Sequence, residues 1–122
     1  MYFIKDNISV TLSPSSTSVV YGSDAVLTAT ITSEVAVDPV TWQKVPSDGN
    51  PVNLVLSGKY TQASGADGSF ILTIRNTNKT DEGTYQVKVT NAASKTITSN
   101  TVSVTVTGGK YTEYFFYKYR YI

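Results

Sequence analysis

The 122-residue chain predicts an all-β fold, a two-sheet antiparallel sandwich of seven or eight short strands. Three observations carry that prediction. Apolar and polar residues alternate in short runs at the period of a half-buried strand. Clusters of Gly, Pro, Asn, Asp and Ser separate those runs about every ten residues. No stretch carries the 3.6-residue period of an amphipathic helix.

In chain order, Ile8, Val10 and Leu12 alternate with Ser9 and Thr11 before Ser13-Pro14-Ser15-Ser16 breaks the pattern and Ser18-Val19-Val20 resumes it. That is an edge strand with a proline-marked jog, a way of blunting an open sheet edge. Tyr21-Gly22-Ser23-Asp24 reads as a turn. Ala25, Leu27, Ala29 and Ile31 then share one face of the next strand, with Thr28, Thr30 and Thr32 on the other. A loop is expected from Glu34 to Pro39, followed by Val40-Thr41-Trp42-Gln43-Lys44, whose tryptophan is the only one in the chain and belongs in the core. Pro46 to Pro51 is turn chemistry, Val52 to Leu56 a short strand, and Ser57–Tyr60 and Ser64–Gly68 bracket another. Phe70, Leu72 and Ile74 alternate with Ile71, Thr73 and Arg75. Asn91 to Ser94 turns the chain into Lys95–Thr107, where Val102, Val104 and Val106 form the last inward row.

The stretch Asp81 to Val89 organises the rest. Asp81 and Gly83 supply a turn, and Tyr85, Val87 and Val89 then fall on one face of a strand with Gln86 and Lys88 on the other. A tyrosine in that setting resembles the tyrosine corner of immunoglobulin-like domains, whose hydroxyl bonds to backbone upstream. Together with Gly22 to Ala29, Trp42 thirteen residues beyond Ala29, and Leu72-Thr73-Ile74, the pattern resembles the B, C, E and F strands of the intermediate (I-set) type. The resemblance covers residues 8–107, with a flank at 1–7 and an aromatic-rich tail at 108–122. The family carries a cysteine pair where this chain has Ala29 and Val87. The resemblance therefore implies an unstapled sandwich, without a bridge that contributes about 4 kcal/mol for a loop of this length. Ala29 and Val87 are expected to pack on Trp42 in its place.

Composition narrows the function. Formal net charge is +1, with no His and no Cys. Near-neutral charge gives no basic footprint for nucleic acid. Without imidazole or thiol, the commonest general base, the usual nucleophilic thiolate and the main zinc ligands are missing. No cofactor and no enzymatic activity are expected, and no apolar run is long enough for a membrane helix. Asp24, Asp38, Asp48 and Asp67 lie in separate turns, without the D-x-D or D-x-N spacing of a calcium loop. Asp81 is expected to pair with Lys59, the better positional match, or with Arg75, in a structural role.

The resemblance implies a non-catalytic recognition or cell-adhesion module, one of a tandem series that binds a protein partner or neighbouring domains of its kind. A structural spacer or filament link is the alternative. Thr- and Ser-rich strands favour an extracellular or cell-surface address, with a cytoplasmic, muscle-type scaffold as the other setting. Asn7-Ile8-Ser9 and Asn78-Lys79-Thr80 match the N-glycosylation sequon. Seven of the fourteen aromatic residues lie in Lys110–Ile122. The plainest reading of that tail is disorder or an origin outside the native coding sequence. Among functional readings, self-association through a strand carrying Tyr117, Tyr119 and Tyr121 on one face, with Lys118 and Arg120 on the other, is the least strained.

Overall fold

The alternating runs form strands, and their apolar rows meet in one core. The computed structural model describes residues 8–33, 37–65 and 68–108, with Asp38 described by its backbone alone. Its strands are β1 (Ile8–Ser13), β2 (Ser16–Val20), β3 (Ala25–Ser33), β4 (Val37–Val45), β5 (Val52–Asn53), β6 (Tyr60–Ser64), β7 (Ser69–Ile74), β8 (Gly83–Asn91), β9 (Thr96–Thr98) and β10 (Val102–Thr107). One sheet has the order β1-β3-β7-β6. The other runs β2-β10-β8-β4-β5, with β9 also paired to β8.

The count exceeds seven or eight for a physical reason. The first predicted strand changes sheets at Pro14, so that β1 pairs with β3 while β2 pairs with β10. The last is interrupted at Ser99-Asn100-Thr101, giving β9 and β10. The β2–β10 pair is parallel, a departure from an all-antiparallel expectation. The strand expected over Val52–Leu56 is only Val52–Asn53, because the chain then crosses from one sheet to the other. β4 starts at Val37, inside the expected Glu34–Pro39 loop, and Pro39 sits where the pairing register with β8 shifts between Val37 and Val40, a position where its missing N–H does least harm. The described helical structure is a 3-10 turn at Lys79–Asp81.

Inward rows from both sheets fill the core: Leu12; Ala25, Leu27, Ala29 and Ile31; Trp42; Leu72 and Ile74; Tyr85, Val87 and Val89; and Val102 and Val104. Trp42 stands opposite Val87 across the β4–β8 ladder. Ala29 and Val87 are both fully buried in the cluster that contains Trp42.

Two polar devices take over where the strand break leaves ladder groups without neighbours, the first between the two sheets and the second within one of them. The Asn100 side chain acts as a substitute strand: its Oδ1 accepts from Leu12 N at 2.8 Å and its Nδ2 donates to Leu12 O at 2.9 Å. Ser99 Oγ accepts from Val87 N at 3.0 Å, while Ser99 N donates to Val87 O at 2.8 Å. Ladder bonding thus continues through the interruption, and buried backbone groups keep partners.

Register also fixes the two ends of the sandwich. β3 runs from Ala25 to Ser33, and Ile8 lies opposite Ser33. Val37 pairs with Asn91 at that same end, the amino pole. At the carboxyl pole, Tyr21 N donates to Thr107 O, and Ala25 pairs with Ile74. The chain therefore enters at one pole and leaves at the other, about 30 Å apart along the nine residues of β3.

Candidate functional site

Of the residues singled out for chemistry, Asn78, Asp81 and Lys59 meet at the carboxyl pole, with the Arg75 carbonyl beside them. Asn78 caps the 3-10 turn, its Oδ1 accepting from Thr80 N at 2.8 Å and from the Thr80 hydroxyl. Asp81 completes the reciprocal capping box, accepting from Asn78 N at 2.9 Å. Asp81 is 3% exposed, so its charge needs a partner. Lys59 Nζ supplies it at 2.7 Å from Oδ2 and also donates to the carbonyls of Arg75 and Asn76, at 2.9 and 3.2 Å. Arg75, the other candidate partner, contributes its backbone carbonyl.

Tyr85 leaves β8 beneath this cluster, and its hydroxyl donates to Asp81 O at 2.6 Å. Gly83 comes just before it with φ +149, and a Cβ there would stand 2.9 Å from Lys44 Cε. The backbone shape favours glycine, whereas the Lys44 end could shift aside. Lys44 in turn donates to Thr80 O at 2.6 Å and lies 5.6 Å from the centre of the Tyr85 ring. Glu82 accepts from Val106 N at 2.9 Å and from Lys79 at 3.3 Å. The Val106 N–H, and after it Lys79, hold its carboxyl below the usual range against some desolvation.

The same burial acts on the phenols. Desolvation comes first for Tyr60, followed by the Asp81 charge, which raises its pKa, and Lys59, which opposes. Tyr85 is raised further, by burial and then by Tyr60 and Asp81. A phenol raised in the folded state contributes stability that is complete below its unfolded pKa of about 10 and declines as pH rises above it, because the unfolded chain loses that proton first. Stability should therefore fall from about pH 10 upward, with up to about 1.4 kcal/mol per pH unit from Tyr85. Tyr85→Phe should flatten the decline in thermal midpoints measured between pH 9 and 12. Parallel profiles for the two proteins would refute this assignment.

These groups are committed to one another and to backbone, leaving no free nucleophile with an adjacent base. Asp24 Oδ1 accepts from Asn76 N, and Asp48 Oδ1 from Asn50 N, each at 2.9 Å, so both carboxylates shape turns. Among the described residues no cluster of three or more potential metal ligands occurs. The Asp38 and Asp67 side chains, Asn7, and Tyr117, Tyr119 and Tyr121 lie outside the description. Trp42 is 2% exposed and donates from Nε1 to Gln62 Oε1 at 2.5 Å, tying β4 to β6 across the sandwich. Nothing in local periodicity marks Gln62 for that role.

One surface feature was also missed. Among the exposed large hydrophobic residues, Val52, Val55 and Leu56 are 55%, 75% and 48% exposed. They belong to the edge strand β5 and to the segment that leads from it to the edge strand β6. Strand formers hidden in a pattern of alternation gave no sign that this row faces water.

The Immunoglobulin I-set domain family matches residues 8–106. Among curated proteins nothing matches. Solved structures supply 1843 matching chains, a fold too widely shared to select a function. One is the "Twitchin kinase region from C.elegans (Fn31-NL-kin-CRD-Ig26)", 26% identical with a TM-score of 0.67, covering 82% of this chain. The match covers 16% of the twitchin chain. Among the described residues, no helix is long and apolar enough to cross a membrane.

Proposed function

This chain belongs to the immunoglobulin I-set family, and from that premise we propose that it is a non-catalytic protein-recognition module, one of a tandem series. The observation that carries the reading is the placement of Ile8 and Thr107 at opposite poles. A domain entered at one end and left at the other joins its neighbours pole to pole and leaves both sheet faces and both flanks available for partners. The polar side chains of the carboxyl pole support the non-catalytic part, since they are consumed in holding the tyrosine corner. Cell adhesion is the surface form of this role, and a cytoplasmic scaffold is its counterpart inside the cell.

A spacer is the second reading, favoured by the 91–95 loop. Asn91 is 3% exposed, and its Oδ1 accepts from Ala93 N and Lys95 N at 3.0 Å. This loop is braced from within and carries no aromatic or Arg anchor of the sort that dominates interfaces.

The test joins two copies of residues 8–108 directly and measures small-angle scattering. Pole-to-pole linkage gives a maximum dimension close to twice that of one copy. A maximum dimension near that of one copy, with the two sandwiches folded side by side, would overturn the serial reading. Mass spectrometry of the protein from its own source would decide the address, since a glycan on Asn78 requires export. Its Oδ1 would remain available to cap the 3-10 turn, because attachment is through Nδ2.

A further inference from the structure

Among the described residues no strand pairs with the outer edge of β5 or of β6, and the flank lacks the usual protection. Edge strands in isolated domains commonly carry charges, prolines or bulges that discourage another strand from pairing. From Asn50 to Gly65 the only charged side chain is Lys59, and its Nζ is turned to Asp81 and two carbonyls. Pro51 protects only the start of β5. Beyond Tyr60, whose carbonyl accepts from Ser57 N, β6 is the last strand of its sheet. The ledge of exposed Val52, Val55 and Leu56 belongs to β5 and the segment that leads from it into β6.

We propose that this flank receives residues 110–122 of a second copy, added antiparallel along β6 as a fifth strand. The chemistry matches on both faces of the incoming segment. Alternation places Tyr117, Tyr119 and Tyr121 together, and this row covers the ledge; Lys118 and Arg120 fall on the other side and stay in water. Main-chain bonds to β6 supply register, and aromatic burial supplies affinity.

Strand direction selects a second copy over the chain's own tail. β10 runs toward the carboxyl pole, whereas β5 and β6 both run away from it. A tail that turns back at Gly108 travels in the same direction as β6 and offers only parallel pairing, the weaker ladder. To lie antiparallel it would first have to climb the length of the sandwich. That climb takes about nine extended residues, which would use up residues 109–117 and with them the start of the tyrosine row. A neighbouring molecule brings its tail from the opposite direction at no such cost, and reciprocal donation closes a twofold pair.

This inference deepens the recognition reading by naming a partner surface, but its test is separate from the pole-to-pole experiment. Light-scattering mass across concentration is compared for the full chain, a chain ending at Gly109, and full-length Val55→Asp. Val55 is 75% exposed, so the substitution should leave the thermal midpoint unchanged. The expected result is a dimer for the full chain, a monomer for the truncated chain, and dimerisation weakened by about tenfold or more in Val55→Asp. A peptide of residues 110–122 added to the truncated chain should protect amides 61–64 from hydrogen exchange. A full chain that remains monomeric, a dimer indifferent to Val55→Asp, or protection confined to residues outside this flank would each overturn the proposal.

Discussion

Asp81→Ala should lower the unfolding free energy by about 3–5 kcal/mol, the range expected when one partner of a buried ion pair is removed. Three functions are lost together: the charge opposite Lys59, the acceptor for Asn78 N, and the packing of a side chain that is 5% exposed. Lys59 keeps two carbonyl acceptors and can turn partly toward water, which favours the lower part of the range. Asp81→Asn should cost less, because an amide oxygen can still accept from Asn78 N while the charge is gone. Urea unfolding checks both, with the midpoint moving and the slope unchanged. A loss below about 1 kcal/mol for the alanine variant would mean that the cluster does not fasten this pole.

The second large effect is a gain. Cysteines at Ala29 and Val87 would close a loop of roughly 60 residues, worth about 4 kcal/mol on the chain-entropy estimate. Both positions are fully buried in facing sheets. Trimming Val87 should cost the reduced variant about 1 kcal/mol, so the oxidised form should exceed the parent by about 3 kcal/mol. Comparing the oxidised and reduced variants isolates the bridge from the substitutions. If the thiols stay free under oxidising conditions, the sheets are not spaced for a bridge, which needs Cβ atoms about 3.8 Å apart.

Much of the fold was legible because a sandwich core requires alternation. Ala25 to Ile31 and Val102 to Val106 display their inward rows in the sequence, and Trp42 is the sole indole. The corner was legible through its turn residues. Side chains that replace backbone partners were not. Asn100 in a Ser- and Thr-rich stretch looks like an ordinary turn former, and only the departure of β1 from the other sheet gives its amide two groups to bond. Gln62 is likewise polar in an edge strand, and its inward direction follows from the position of the Trp42 ring. The Val52–Leu56 ledge escaped notice for the converse reason. Apolar residues between turn signals suggest a strand, but the crossing between sheets turns them outward. Direct chemistry was legible mainly by exclusion, since the absence of His and Cys removes reaction classes without indicating a ligand.

The parallel pairing of β2 with β10 has a mechanical consequence. A pull on Ile8 is directed beyond the amino pole, and a pull on Gly108 is directed beyond the carboxyl pole. Tension transmitted through β1 draws β2 backwards along its axis while β10 is drawn forwards. The bonds joining them lie across that motion, so extension must shear Ser16–Val20 past Ser103–Thr107 over the whole register, with the Asn100 amide holding Leu12 at the head of the seam. An unzipping ladder would yield one rung at a time. This geometry shares the load among its rungs, giving the domain a resistance to stretching that its equilibrium stability alone would not reveal.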